Sequence, residues 1–192
     1  MRKQEFLRLA RLYAVAAAIK SNEDMQVALD SDALLLFILR GDAFQLPQFV
    51  AEAHRLGKGI VVHIDLIGGV GKDRAGIQYL HQIGVDAIIT SRSQLVSAAR
   101  AEGMTTIQRL LLLDDSALES GVRTIVRAAP DIVEVLPGII FPEVAATLQQ
   151  LLAGPFIAGG FIRTAADVAR IRAAGAILSS TSTYQLWRRV PD

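Results

Sequence analysis

In the stretch VVHIDLIGGVG, His63 and Asp65 lie two residues apart, a spacing that suits proton transfer or ligand clamping. On a strand, residues i and i+2 share a face. The carboxylate then orients or charges the imidazole, giving an acid/base pair, a polar clamp on a hydroxylated ligand, or a hydrogen-bonded pair that fills the end of a barrel. Arg109 in TIQRLLLLDDS and Glu134 in DIVEVLPG form a second pair, on strands expected to be neighbours. That pair is either a structural ion pair or, because a guanidinium suits oxyanions, part of an anion site. Lys20, at the expected end of the first strand, is an anion-binding or imine-forming amine, or a solvated one. A third group is made of backbone and hydroxyls. In PFIAGGFIRTAADV, Gly159 and Gly160 follow an apolar run and precede a helix whose cap is Thr164; in LSSTSTYQLW, Ser180, Thr181 and Ser182 repeat that arrangement one unit later. Glycines leave backbone N–H groups uncovered and a helix start adds oriented donors, so the two loops suit a phosphate; the alternative is a set of tight turns and hydroxyl caps with no ligand.

These groups need elements to hold them. Apolar runs with strand character alternate with helical segments along the whole chain, and Gly57, Gly84, Gly103, Gly154 and Gly175 each close a helical segment just before an apolar run. Strands are predicted at 14–19, 33–39, 59–65, 87–90, 105–110, 132–136, 156–158 and 176–179. Ser116 with Glu119 reads as a capping box for the helix carrying Leu118, Val122, Ile125 and Ala129, and Thr164 with Asp167 as a second one. Pro47 and Pro142 sit where a first helical turn tolerates proline. Eight βα units in one domain spanning residues 1–192 predict a TIM-type (β/α)8 barrel; the alternative is an open doubly wound parallel sheet. Polar residues at the strand ends favour the barrel, because a sheet covered on both faces prefers uninterrupted apolar strands.

Composition narrows the chemistry. The 192 residues are 52% apolar with 20 basic and 19 acidic side chains, so no broad positive field draws nucleic acid, and any such contact must use a local patch. Arg8 with Arg11, and Arg188 with Arg189, are candidates for that patch. The absence of cysteine removes disulfides and thiolate chemistry. His54 and His81 fall on helices and leave His63 without a second histidine, so neither a metal nor another cofactor is expected. There is no P-loop, GxSxG or early GxGxxG. No apolar run is long enough to span a bilayer, and the start from Met1 to Arg11 lacks the apolar centre of a signal peptide, which suits the cytoplasm. Leu110 to Leu113 extend past the fifth strand and cover either the core, the mouth, or the face of a second copy in a homo-oligomer.

Taken in order, VVHIDLIGG, IITSRSQLVSAARAEGMTTIQRLLLLDDSALES, PDIVEVLPGII, PFIAGGFIRTAADV and GAILSSTSTYQLW resemble the glycerol-3-phosphate responsive antiterminator family from about Val15 to Trp187. The resemblance implies a TIM-type barrel that binds glycerol 3-phosphate and then acts on leader mRNA of glycerol uptake and utilisation operons to prevent premature termination. It places the family's H-x-D on His63 and Asp65, its QR on Gln108 and Arg109, and its E-x-L-P-G on Glu134, Leu136, Pro137 and Gly138. Its AGG falls on Ala158 to Gly160 and its S-T-S on Ser180 to Ser182. Gly68-Gly69 departs from the family loop, which carries a polar residue before a single glycine. The competing reading is an isomerase or lyase acting on a small phosphorylated substrate through His63, Asp65, Glu134 or Lys20.

Overall fold

The computed structural model describes residues 3–189; Met1, Arg2 and residues 190–192 lie outside them. Eight parallel strands close into a barrel: β1 (Val15–Ile19), β2 (Leu35–Ile38), β3 (Gly59–His63), β4 (Ala87–Thr90), β5 (Thr105–Leu111), β6 (Ile132–Leu136), β7 (Phe156–Gly159) and β8 (Leu178–Thr181). Closure is explicit in the register, because Ala17 of β1 pairs with Leu36 on one side and with Thr181 on the other. The open-sheet alternative is therefore excluded. A two-stranded ribbon, Gly41–Asp42 with Ile67–Gly68, links the loops after β2 and β3.

Helices α2 (Asn22–Leu29), α3 (Leu46–Arg55), α4 (Arg74–Gln82), α5 (Ser93–Ala101), α6 (Asp115–Ala128), α7 (Phe141–Leu151) and α8 (Ala165–Ala173) form the outer layer, preceded by α1 (Lys3–Leu12). The amino-terminal end of the barrel is filled from below: Phe6, Leu9 and Ala10 of α1 join Ala16, Leu35, Val61, Ala87, Ile107, Ile132, Ile157 and Leu178 in one buried cluster. With that end plugged by apolar side chains, the opposite mouth is left to polar ones. No helix among the described residues is long and apolar enough to cross a membrane.

Most strand bounds shift by only one or two residues from the sequence expectation, and three differences change the position of a named residue. The third strand ends at His63, and Ile64–Leu66 form a short 3-10 turn, so Asp65 does not continue the strand alternation. The last strand runs two residues later than expected, which puts Ser180 and Thr181 inside the sheet instead of in the loop. Helix α6 is capped by Asp114, whose carboxylate accepts from the Ala117 amide at 2.7 Å, and not by Ser116. Asp caps as well as Ser, so Asp114 fills the position without loss. Asp114→Ala is expected to cost about 1 kcal/mol in urea denaturation, and Ser116→Ala only a few tenths. The Thr164–Asp167 capping box of α8 is present as expected, with both reciprocal bonds.

Candidate functional site

At the carboxyl end of the barrel the last four strands and the first strand enclose a cavity of about 380 Å3, the small end of the range for ligand pockets. It is lined by Lys20, Arg109, Glu134, Gly159, Gly160 and Ser180 to Ser182, all anticipated from sequence, together with Phe161, Ile162, Arg163 and Thr183. Glu134 is the single carboxylate of that lining, against the cations Lys20, Arg109 and Arg163.

The ion pair expected between β5 and β6 is formed. Arg109 and Glu134 are directly opposed in the parallel register, and the Arg109 Nε and Nη2 both lie 2.8 Å from Glu134 Oε2. The Glu134 side chain is 1% exposed and that of Arg109 is 15% exposed. Burial pushes the Glu134 carboxyl up, and the Arg109 guanidinium opposes that shift by charge and by hydrogen bonding. Oε1 has no donor among the described residues. It lies where a side chain on Gly159 would go: a Cβ there would stand 2.9 Å from Oε1.

The glycine turn departs from the sheet at Gly159, which still pairs with Ser180. Gly160 then takes φ +88° and Phe161 φ +60°. A left-handed backbone at a bulky aromatic is uncommon and costs free energy, yet Phe161 is 67% exposed and buries little in return. The amides of Phe161, Ile162 and Ser182 make no hydrogen bond with other described residues. By contrast, the Arg163 and Thr164 amides are bonded to the Asp167 carboxylate at 3.0 and 2.9 Å. The start of α8 therefore already holds an anion of its own, and the open donors sit in the turn before the helix. Thr181 Oγ1 donates to the Ile162 carbonyl at 2.7 Å, as Thr183 Oγ1 does at 3.2 Å, tying the seventh and eighth loops together. Lys20 Nζ donates to Ser182 Oγ at 3.1 Å and joins the first loop to them.

His63 and Asp65 do not line this cavity. His63 is 2% exposed, with neither ring nitrogen hydrogen-bonded; Nδ1 is 4.0 Å from Asp65 Oδ2. Desolvation, reinforced by Arg109, lowers its pKa to about 4 against the attraction of Asp65, so the ring is neutral at pH 7. Asp65 instead accepts from Thr90 Oγ1 at 3.0 Å and from the Ser91 amide at 2.9 Å, and pairs with Arg92 Nε at 3.3 Å. Turning out of the strand after His63 is what carries it to the β4 loop. Gly138 packs against the end of β7, where a Cβ would meet Gly159 N at 2.5 Å; its role in the fold is close backbone approach. The side chain of Gln108 bonds Ser93 Oγ at 3.3 Å.

Sequence reasoning did not assign Phe161, Ile162, Arg163 or Thr183. Arg163 had a signal, since it follows the glycine pair closely, whereas the backbone angle of Phe161 had none. Of Leu110 to Leu113, the first two end β5 and the others follow it; Leu110 and Leu112 are buried and Leu111 and Leu113 exposed. One member of each basic pair at the chain ends is engaged locally: Arg8 binds Glu5, and Arg189 bonds the Asp32 carboxylate through its amide and the Leu12 carbonyl through its guanidinium, while Arg11 and Arg188 are exposed. No group of three or more ligating side chains forms a metal cluster among the described residues.

Fold and cavity define a small (β/α)8 barrel with a cavity at its carboxyl mouth in which cations outnumber carboxylates. Residues 15–187 match the glycerol-3-phosphate responsive antiterminator family, and the chain belongs to it. The glycerol uptake operon antiterminator regulatory protein of Listeria monocytogenes is 36% identical, with 91% of this chain and 94% of that one aligned at a TM-score of 0.84. A glycerol uptake operon antiterminator-related protein of Thermotoga maritima is 27% identical over 91% of this chain and 98% of its own, at a TM-score of 0.81. Escherichia coli YgcP, an uncharacterized protein, is 31% identical over 94% of this chain and 95% of its length.

Proposed function

We propose that the protein binds glycerol 3-phosphate in the mouth cavity and, so loaded, acts on the leader mRNA of glycerol uptake or utilisation operons to prevent premature termination, as a regulator that leaves its ligand unchanged. The observation that carries the ligand half is the coincidence of open amides at Phe161, Ile162 and Ser182 with the cations Lys20 and Arg163 in one small cavity. Backbone donors and ammonium or guanidinium groups together suit a dianionic phosphate. The RNA half is supported by membership of a family whose described members are antiterminators.

Two measurements test the two halves separately. In thermal unfolding, glycerol 3-phosphate at about 100 times its Kd is expected to stabilise the fold by roughly 2.7 kcal/mol, with glycerol or inorganic phosphate at the same concentration far less effective. In gel shifts with the protein's own operon leader, the ligand is expected to tighten RNA binding at least ~10-fold, because a ligand moves a two-state equilibrium only by its differential affinity. RNA affinity indifferent to ligand would remove the gating mechanism and leave a metabolite-binding barrel.

A further inference from the structure

The cavity holds one feature that a phosphate alone does not explain. Glu134 brings a buried carboxylate to a site otherwise built from donors, and Arg109 engages only one of its two oxygens. The second, Oε1, has no donor among the described residues, and Gly159 keeps the space in front of it clear, since a Cβ there would approach to 2.9 Å. A carboxylate oxygen is a hydrogen-bond acceptor only, so beside a phosphate site it repels a second anionic or carbonyl oxygen and calls for an O–H.

We infer that Glu134 Oε1 reads the hydroxyl on the carbon next to the phosphate-bearing carbon, and so makes the pocket selective for secondary-alcohol phosphates over the corresponding ketone. This rests on the phosphate reading above and goes beyond it by orienting the ligand. Oε1 lies against Gly159, and the residues that follow it, Phe161 and Ile162, supply the open amides. A group at Oε1 is therefore one short step from the phosphate, which matches the first hydroxyl along the chain and not the terminal one. Arg109 has the supporting part, holding the carboxylate in place through Oε2. A ketone oxygen at the same place would face Oε1 with no proton between them, and a site built to pair with a hydroxyl rejects partners that leave it unpaired.

The probes are sn-glycerol 3-phosphate and dihydroxyacetone phosphate, which differ only in alcohol versus ketone at that carbon. In calorimetric titration the wild-type protein is expected to bind the ketone roughly 100-fold more weakly than the alcohol. In Glu134→Gln the amide oxygen takes the bonds from Arg109 and the NH2 group faces the cavity, so the preference is expected to fall to within about 3-fold or to invert. Gly159→Ala supplies a second variant that retains both Arg109 and Glu134: its methyl displaces Oε1 and is expected to erase the same preference. Equal wild-type affinity for the two probes, or a preference that survives in both variants, overturns the inference while leaving the phosphate site standing. Failure of both probes to bind the wild-type protein overturns the inference together with the reading beneath it.

Discussion

Arg109→Ala is expected to destabilise the protein by about 3–5 kcal/mol and to abolish any measurable effect of glycerol 3-phosphate on its melting. The first part follows from Glu134, which is buried and has Arg109 as its only hydrogen-bonding partner among the described residues. Removing one member of a buried pair leaves the other desolvated and uncompensated, and this costs far more than the pair itself contributes. Burial already pushes the Glu134 carboxyl up, and without the guanidinium that push is unopposed. Replacing both residues, as in Arg109→Met with Glu134→Leu, is therefore expected to recover most of the stability and none of the ligand response. Urea denaturation of the two variants separates the roles: a double variant as unstable as the single one would mean that shape, and not charge, holds these strands together.

The barrel was legible because its grammar is repeated. Helix-closing glycines such as Gly57 and Gly175, both at positive φ, recur just before apolar strands and mark the αβ turns. The Arg109–Glu134 pair was legible for a related reason: successive βα units make neighbouring parallel strands, and residues at matching depth in them oppose each other. The site was less legible wherever polar residues were taken to mark loops. Ser180 and Thr181 looked like loop hydroxyls but are buried strand residues, tolerated because Thr181 finds the Ile162 carbonyl. Asp65 looked like the strand partner of His63, and only the 3-10 turn after His63 takes it to Thr90 and Ser91. The open amides were expected at the glycines and lie one or two residues later, because pairing with Ser180 holds Gly159 in the ladder. Such choices are settled by register and by backbone angles, which residue types alone do not encode.

The stability of the wild-type protein is expected to fall by about 2 kcal/mol between pH 7.5 and pH 5, and most of that fall is expected to vanish in His63→Leu. The sign follows from the direction of the shift. In the folded protein the ring titrates at about 4, against an ordinary 6.5, because it is desolvated beside Arg109. Between those values the unfolded chain binds a proton that the folded one refuses, so stability is full above about pH 6.5 and is lost progressively as the pH falls towards 4. Urea midpoints at the two pH values measure the slope, and a slope unchanged in His63→Leu would place its origin elsewhere. The same variant poses a second question at pH 7. Both ring nitrogens of His63 are buried without hydrogen bonds, and replacing such a polar group by an apolar one of similar bulk is neutral or stabilising. His63→Leu is accordingly expected to be at least as stable as the wild type at pH 7.5. A buried ring without hydrogen bonds gives the fold nothing that a leucine would not, and its neighbour is the guanidinium that fixes Glu134. If His63→Leu leaves glycerol 3-phosphate affinity untouched, the histidine has no part in the site; a loss of about 10-fold or more, roughly 1.4 kcal/mol of binding, with undiminished stability would tie it to the placement of Arg109.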